Sequence, residues 1–451
     1  MLSKLYKNPY LYILSAYVVA IIVGGLILFL PVSINNPISF IDAIYTATSA
    51  ICVTGLTVVD VDYTFTTFGE MIILFLIQIG GIGITIFSAF LMLATRREFS
   101  MLNQSVVEES LTMDRQIKTK RLVLYVVLIT FFVELIGATF LSFYFTKYYR
   151  TAEAIYKGIF TAISAFCNAG FTLSSNNIET YSTHVGINLT LMLLIFIGGI
   201  GYFCIIEMLK NIKEKKISFK KYHFSIHTKS AFLVSCGLIL FGAISFFIFE
   251  HDKLLASYTF MESTLISFFQ SVTARTAGFN SISFASVNQA TLLLFGALMF
   301  IGASSASCGG GVKTTTFWVL IKSFTAGIKN REHVFMFKRS IPKPVVKKAV
   351  LLSILAVVWI FIASILISLF ERHALATGQL RLDQLVFEII SAFGTVGLST
   401  GISDKISEAS KIVIISTMYF GRTGLLTIVS FFAFSIKEER FNYPEEDIFV
   451  G

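Results

Sequence analysis

The sequence predicts an all-α polytopic membrane protein made of four tandem helix–re-entrant pore loop–helix repeats in a pseudo-fourfold arrangement, with eight transmembrane helices. Three observations support this fold class. The composition is apolar, since 55% of the 451 residues are hydrophobic and 14% are charged, with a mean hydropathy of +0.77. Soluble domains are about a quarter charged. The chain also contains long apolar runs, and one glycine motif occurs four times.

Several apolar runs are long enough to cross a membrane. They include Leu11–Pro31, Met71–Ala94, Leu122–Phe145 and Leu351–Phe370. A helix of about twenty residues, rising about 1.5 Å per residue, crosses a hydrocarbon core of about 30 Å. We therefore expect each of these runs to form a spanning helix of a multi-pass protein in the cell membrane.

The basic residues are concentrated between the predicted spans. Of the 36 lysines and arginines, 25 fall before residue 10, in 94–121, 210–229 and 322–348, or after residue 436. Lys and Arg accumulate in the cytoplasmic loops of membrane proteins, so we expect both termini and three basic loops to be cytoplasmic. The net charge of +9 therefore reflects membrane orientation, and we expect no nucleic-acid partner.

A glycine motif defines an internal repeat. Its four copies are SAICVTGL (49–56), SAFCNAGF (164–171), VTARTAGF (272–279) and SAFGTVGL (391–398). A second motif follows, and its first glycine lies 24 to 28 residues after the shared glycine: QIGGIG (78–83), FIGGIG (196–201), FIGASS (300–305) and YFGRTG (419–424). Two motifs in register indicate repeated units. We divide the chain into repeat 1 (1–100), repeat 2 (101–220), repeat 3 (221–340, with an intramembrane loop at 302–316) and repeat 4 with a C-terminal tail (341–451).

Each glycine motif follows a segment too short to span a membrane. The four segments are Phe40–Cys52, Ala154–Phe166, Phe260–Thr273 and Leu382–Phe393. Because such helices cannot cross the bilayer, they are predicted to enter and leave by the same face. The basic loops assign the other face to the cytoplasm, so the four re-entrant loops are expected to face outward.

The glycine loops are predicted to bind a monovalent cation through backbone carbonyls. Irregular backbone within a membrane is tolerated where it lines a wet cavity, and rings of carbonyl oxygens can replace the hydration shell of an ion. Glycine accepts backbone angles that other residues avoid. The candidate filter residues are Val53, Thr54, Gly55, Asn168, Ala169, Gly170, Thr276, Ala277, Gly278, Thr395, Val396 and Gly397. For Gly80–Gly83 and Gly198–Gly201 we favour close helix packing instead.

Repeat 3 differs from the others in its second motif. The run GASSASCGGGVKTTT, Gly302 to Thr316, would interrupt an apolar span, and we expect a mobile segment that lines the pore below the loops. The candidate gate residues are Ser305, Ser307, Gly309, Gly310, Gly311, Lys313 and Arg422. Arg422 is predicted to face the pore as an electrostatic barrier to cations. For Lys313 this role and snorkelling to the cytoplasmic interface remain open.

Two further charges are unusual within the membrane. Arg275 occupies a position held by Cys52, Cys167 and Gly394 in the other copies, and we expect it to point behind the loop and brace it. Glu134 lies in the middle of a predicted first helix and needs a buried partner.

The four motifs VTGL, NAGF, TAGF and TVGLS, with the interrupted span of repeat 3, resemble the Trk, Ktr and HKT superfamily of K⁺ transporters. Within it the chain looks most like the membrane subunits of bacterial Ktr systems, and the likeness covers nearly the whole sequence. The resemblance implies a homodimer with one pore per subunit and K⁺ as the transported ion, because all four loop positions hold glycine. It also assigns Gly302–Thr316 to a gating loop and Arg422 to a partner of that loop.

The same resemblance implies a cytosolic, KtrA-like regulatory ring that binds nucleotide and docks on the basic loops, with Na⁺ as an activator in some relatives. No organic cofactor is expected in this chain. Four parallel copies favour a pore over an alternating-access transporter, in which inverted repeats and midplane charges are usual. The six histidines show no paired metal spacing, so we do not expect an enzyme.

Overall fold

The computed structural model describes residues 9–94, 119–218, 224–424 and 427, and these residues are mainly helical. Residues 1–8 and 428–451 contain both termini, so the predicted cytoplasmic location of the termini lies outside the described residues. Each repeat contributes a long first helix, a short helix that leads to the glycine motif, and a second helix.

The four first helices are the longest apolar elements. They are Pro9–Leu28, Thr119–Phe145, Ile226–Glu250 and Lys343–Phe370. By length and composition, four described helices can cross a membrane, at Tyr10–Leu28, Lys120–Phe145, Ile226–Glu250 and Lys343–Phe370. A fifth span is obtained if the bent pair Val185–Ile200 and Tyr202–Ile212 is taken as one.

The short helices lie where the sequence predicts them. They are Phe40–Ile51, Thr151–Phe166, Phe260–Thr273 and Leu382–Gly394. Each has one acidic residue in its first turn: Asp42, Glu153, Glu262 and Asp383. A carboxylate near a helix N-terminus is favoured by the helix dipole, whose negative end lies at the C-terminus. In all four repeats, that negative end leads directly into the glycine motif.

The second helices of repeats 1 to 3 are interrupted, which corrects the expectation of one continuous span over Met71–Ala94. In repeat 1, Thr67–Ile82 is followed by Ile84–Ala94, with Gly83 between them at φ 93°. In repeat 2, Val185–Ile200 and Tyr202–Ser218 are separated by Gly201 at φ 96°, and the chain bends by 96°.

In repeat 3 the second helix breaks at the corresponding place, and in repeat 4 it ends there. Gln289–Phe300 and Thr314–Ile328 are separated by non-helical chain, and Glu408–Thr423 ends at Gly424 with φ 79°. A positive φ is accessible to glycine at little cost, which explains the residue type at Gly83, Gly201 and Gly424. The described residues therefore do not form eight uninterrupted spans.

The chain is not purely α-helical. Val334–Met336 and Arg339–Ile341 form a short antiparallel hairpin at the end of repeat 3, in the third predicted basic loop. Short helices also occur at Val61–Thr64 and Arg372–Ala376, with 3₁₀ turns at Glu179–Tyr181 and Phe284–Ser286. The sequence patterns used above did not indicate any of these elements.

Polar contacts fix the ends of several helices. Glu250 and Glu371 end the first helices of repeats 3 and 4, and their carboxylates accept the N–H groups of Asn288 (2.8 Å) and Ser407 (2.7 Å). These two residues are the N-caps of the second helices. An acidic side chain at a helix N-terminus satisfies a donor that has no partner within the helix.

The last repeat closes on the first. The helix Glu408–Thr423 of repeat 4 packs against the short helix Phe40–Ile51 of repeat 1. Lys411 and Asp42 form an ion pair across this contact, with 2.7 Å between Nζ and Oδ1, and both side chains are largely buried. The four repeats are thus brought together around a common centre.

Packing explains some of the downstream glycines. A Cβ at Gly80 would collide with the carbonyl oxygen of Ile51, and one at Gly198 with that of Phe166. The predicted packing role is therefore confirmed for these two glycines. It is wrong for Gly83, which has no atom within 4 Å of a Cβ position. Gly201 has both roles, because it ends a helix and a Cβ there would lie 2.6 Å from Ser305 O.

These contacts predict different effects for two glycine-to-alanine changes. Gly80→Ala should lower the free energy of unfolding by about 1–3 kcal/mol, because the new methyl group overpacks the helix contact. Gly237→Ala, on a helix with open space around the Cβ position, should be neutral or stabilising by up to about 1 kcal/mol. Thermal unfolding of the detergent-purified variants measures both. Equal destabilisation would contradict the packing assignment.

Candidate functional site

The four glycine loops share an unusual backbone. The residue two positions before each glycine has a positive φ: 56° at Val53, 59° at Asn168, 69° at Thr276 and 48° at Thr395. The glycines follow with φ of 92° at Gly55, 69° at Gly170, 74° at Gly278 and 91° at Gly397. Non-glycine residues rarely adopt positive φ, and for β-branched residues such as valine and threonine the conformation is strained. Its occurrence at four equivalent positions identifies one conserved loop geometry within the chain.

Hydrogen bonds to the short helix hold these loops. In repeat 1, Ser49 O accepts the N–H of Thr54 (2.8 Å), and Ser49 Oγ accepts that of Gly55 (3.0 Å). In repeat 4, Ser391 accepts the N–H groups of Val396 (2.9 Å) and Gly397 (3.1 Å) in the same way. The N–H groups are thus bonded toward the helices, which leaves the loop carbonyls free of these contacts.

Repeats 2 and 3 use variants of this arrangement. In repeat 2, Ser164 O accepts the N–H of Ala169 (2.7 Å), but the Ser164 hydroxyl has no partner among the described residues. In repeat 3 the equivalent position is Val272, and Thr273 Oγ1 instead accepts the N–H of Phe279 (2.8 Å). These anchoring residues were not among the predicted site residues, although serine opens three of the four aligned motifs.

The four glycines form a closed ring. A Cβ at Gly55 would lie 2.6 Å from Ala169 O, one at Gly170 2.8 Å from Ala277 O, and one at Gly278 2.5 Å from Val396 O. At Gly397 a Cβ would collide with Thr54 O of repeat 1, and this contact closes the ring. Each glycine therefore packs on the carbonyl that precedes the glycine of the next repeat. A side chain at any of the four positions would push the loops apart.

The ring brings the predicted filter residues together. All twelve lie in these loops, and the Thr54, Ala169, Ala277 and Val396 carbonyls are those that contact the neighbouring glycines. Within the ring, the Asn168 amide group and the Thr276 hydroxyl also approach to 3.1 Å. A ring of backbone carbonyls can coordinate a dehydrated cation without any charged side chain.

The segment of repeat 3 that interrupts its second helix, residues 302–316, lies directly beside the ring and is called the interrupted segment below. Gly310 N–H donates to Thr395 Oγ1 (2.9 Å), and a Cβ at Gly309 would collide with the Thr276 hydroxyl. The segment also reaches repeat 2, since the N–H groups of Ser304 and Cys308 donate to the carbonyls of Gly199 (3.0 Å) and Gly198 (3.2 Å). It therefore contacts three repeats.

Two basic side chains hold this segment. The Arg422 guanidinium donates to Cys308 O within the segment and to Gly80 O of repeat 1. Lys313 Nζ donates to Gly309 O at 2.6 Å, so its ammonium is bound by the segment itself. Ser305 and Ser307 make further hydrogen bonds within the segment, to Thr315 (3.0 Å) and to Ser304 O (2.6 Å).

Arg275 and Glu134 find partners that the sequence did not identify. Arg275 is buried, and its Nη2 donates to Gly302 O (3.1 Å), where the interrupted segment begins. It thus contacts the segment beside its own loop. Glu134 is buried and accepts two bonds of 3.1 Å from Gln78 Nε2, and the Cys167 thiol lies 3.7 Å from Oε1.

Two cavities of opposite charge flank the ring. The acidic cavity is lined by Gly55, Gly170 and Gly397, and by the residues that follow them; its charged lining residues are Asp60, Glu179 and Asp404. Burial raises the pKa of the Glu179 carboxyl above its ordinary value. The basic cavity is lined by the interrupted segment and the helix breaks, and its charged lining residues are Lys313, Lys348 and Arg422. Within the described residues, neither lining contains charges of the other sign.

Apolar helices long enough to cross a membrane and a closed ring of backbone carbonyls define a multi-pass membrane protein with the architecture of a cation transporter. A family model described as TrkH, cation transport protein, matches residues 9–443. The chain belongs to this family of cation transport proteins.

Curated relatives match over nearly their full length. The chain is 36% identical to the Ktr system potassium uptake protein B of Bacillus subtilis, over 96% of this chain and 95% of the relative. It is 34% identical to the potassium/sodium uptake protein NtpJ of Enterococcus hirae, over 98% and 97% of the two chains. These relatives are named as transport proteins and not as enzymes.

A solved structure has the same fold. The crystal structure of the potassium transporter TrkH from Vibrio parahaemolyticus superposes with a TM-score of 0.71 at 18% identity. The match covers 94% of this chain and 84% of the solved chain. At this identity the likeness establishes the fold.

The loop anchors predict unequal effects for three equivalent serines. Ser49→Ala and Ser391→Ala should each lower the free energy of unfolding by about 1–2 kcal/mol, because a glycine N–H loses its buried acceptor. Ser164→Ala is the matched control, since its hydroxyl bonds nothing among the described residues, and it should be near neutral. Thermal unfolding of the three purified variants tests this. A cost for Ser164→Ala as large as for the others would contradict the anchoring role.

Proposed function

We propose that this protein is a channel-like potassium uptake subunit, in which K⁺ passes through the ring of loop carbonyls. The observation that carries the proposal is the closed ring of four glycine loops. Residues of the short helices accept N–H groups of the loops, and every loop glycine packs on a carbonyl of the next repeat. The names of the relatives from B. subtilis and E. hirae support K⁺ as the ion. The twelve loop residues from Val53 to Gly397 form the filter.

Electrostatics support uptake through this ring. The acidic cavity attracts cations to one side, and we assign that side to the exterior because the basic sequence segments favour the opposite face. An inside-negative potential supplies about 2.3 kcal/mol per charge for each 100 mV, which is enough to concentrate a cation without another energy source. Both termini are then cytoplasmic.

The proposed topology retains four repeats and eight membrane crossings. The second helices of repeats 1 to 3 cross as broken spans, interrupted at Gly83, Gly201 and the repeat 3 segment, and the described part of the fourth ends at Gly424. Irregular backbone at that depth lines a cavity or packs within protein, as membrane structures require. We place the repeat boundaries at residues 100, 220 and 340.

The segment 302–316 and Arg422 form the gate in this proposal. The segment lies against Thr276 and Thr395 on one side of the ring, and Arg422 connects it to repeat 1. The positive charges of Arg422 and Lys313 on the conduction path oppose cation passage while the segment remains in place. Opening requires the segment to withdraw from the ring.

We also propose a homodimer that works with a cytosolic, KtrA-like nucleotide-binding ring. The described part of the third basic loop offers a docking surface, because Lys338 and Arg339 lie at the turn of the hairpin and are exposed. The B. subtilis relative is named as part of a Ktr system. Na⁺ is a candidate activator, since the E. hirae relative is named for potassium and sodium.

The filter assignment predicts a loss of selectivity for Gly55→Ser. Serine at φ 92° is strained, and its Cβ would press on Ala169 O, so the ring should widen and the preference for K⁺ over Na⁺ should fall by about tenfold. Cation uptake in cells that lack their own K⁺ uptake systems measures the preference. Gly378→Ser is the control, because Gly378 also has a positive φ but has open space around it. An unchanged preference in Gly55→Ser would rule out the carbonyl filter.

The gate assignment predicts faster permeation for Arg422→Ala. Removing one positive charge, one hydrogen bond to the segment and one to Gly80 O of repeat 1 should raise the K⁺ flux by about tenfold, which corresponds to about 1.4 kcal/mol of barrier. Flux into vesicles that contain the purified protein measures this. Arg372→Ala removes an exposed arginine of the same repeat and should leave the flux unchanged. An unaltered flux in Arg422→Ala would return this residue to a structural role.

A further inference from the structure

A buried carboxylate stands behind the fourth glycine loop. Glu388 belongs to the short helix Leu382–Gly394 and is 1% exposed. Ser399 Oγ donates to Glu388 Oε2 at 2.8 Å, and Ser403 Oγ donates to Oε1. Both serines follow Gly397 in the chain and line the acidic cavity. The carboxylate thus connects the helix before the loop to the chain after it.

The connection continues along the backbone. Ser399 Oγ also accepts the N–H of Gly401 at 3.0 Å, so a chain of hydrogen bonds runs from Gly401 through Ser399 to Glu388. On the other side of the glycine, Ser391 Oγ holds the Gly397 N–H at 3.1 Å. The fourth loop is therefore fixed both at its glycine and beyond it.

This carboxylate is specific to repeat 4. Nine residues before the loop glycine, the other repeats have Thr46, Thr161 and Phe269. The Thr46 hydroxyl bonds to Asp42 O within its own helix and does not reach the loop. In repeat 3 the neighbouring Gln270 is wholly buried and lies 3.1 Å from Ser281 Oγ, which makes a neutral contact of the same kind.

We infer that Glu388 is a positioning residue for ion selectivity, which holds the fourth loop at the diameter required for K⁺. This inference rests on the proposed function, because it assigns the residue a role in the same filter. Hydrogen bonds to a charged group are stronger than neutral ones and cost more when they are lost. The position of Gly397 matters to the whole ring, since this glycine packs on Thr54 O of repeat 1. If the loop relaxes outward, the ring can no longer replace the hydration shell of K⁺ as well.

The test compares K⁺ and Na⁺ flux into vesicles that contain the purified full-length chain. Glu388→Thr introduces the residue found at this position in repeats 1 and 2, and we expect the K⁺ over Na⁺ preference to fall by about tenfold, comparable to the loss of one hydrogen bond to a charged group. Glu388→Gln should retain most of the preference, because an amide can accept from one serine and donate to the other.

Glu371→Thr is the matched control. Glu371 is also a buried carboxylate of repeat 4, and it accepts bonds from Ser407 N (2.7 Å) and Ser410 Oγ (2.6 Å), but it caps a helix and, among the described residues, forms no hydrogen bond with the loop. We expect Glu371→Thr to lower stability and leave the preference unchanged. An equal loss of preference in both threonine variants would overturn the inference.

Ser399→Ala decides the question if Glu388→Thr does not fold. It removes the connection between the carboxylate and Gly401 but leaves Glu388 bonded to Ser403, and it should lower the preference in the same direction. If the unmodified chain conducts K⁺ selectively and neither Ser399→Ala nor Glu388→Thr changes the preference, the positioning role is refuted and the proposed function stands. Absence of K⁺ flux in the unmodified chain would refute the proposed function instead.

Discussion

The requirement that buried backbone groups be hydrogen-bonded determines the architecture around the glycine loops. Each loop lies within the protein between two helices, where an unpaired N–H would cost several kcal/mol. Ser49 and Ser391 accept those N–H groups, and Thr273 does so in repeat 3. The donors are thus satisfied on the helix side, and the carbonyls are the groups left to face the centre. The positive φ values of the loops follow from this division of donors and acceptors.

The same constraint explains the interrupted segment of repeat 3. Its backbone leaves the helix, and its N–H groups find acceptors in the carbonyls of Gly198 and Gly199 and in the Thr395 hydroxyl. Its carbonyls are in turn taken by Arg275, Lys313 and Arg422. Three basic side chains therefore stabilise the non-helical chain of this segment. If the segment moved, its backbone would have to exchange these hydrogen bonds for hydrogen bonds to water.

Much of the fold could be predicted from the sequence, because the repeated motif locates the short helices and their lengths. The bounds of Phe260–Thr273 agree fully, and those of Phe40–Ile51 and Leu382–Gly394 differ by one residue. The helix breaks were foreseen in repeat 3 alone, because a glycine that packs and a glycine that ends a helix look alike in sequence. Only the φ angle and the space around Gly83 distinguish them.

Most side-chain partners in the site could not be predicted, because they come from distant parts of the chain. The resemblance pairs Arg422 with the segment that contains Cys308, but nothing in the sequence indicates its second partner, Gly80, which is 342 residues away. Gln78 is 56 residues from Glu134. Ser49 and Ser391 stand at the same place in the aligned motifs, which was a signal for a shared role. The sequence alone does not show that this role is to accept the N–H group of the loop glycine.

The closure of repeat 4 on repeat 1 has a consequence for biosynthesis. Gly397 packs on Thr54, and Lys411 pairs with Asp42 across 369 residues of sequence. Domains fold as they emerge from the ribosome, N-terminal parts first. Here the first loop is made early but cannot acquire its neighbour until nearly the whole chain has been translated and inserted. The ring is therefore among the last features to form, and a truncated product inserts helices without completing the ring.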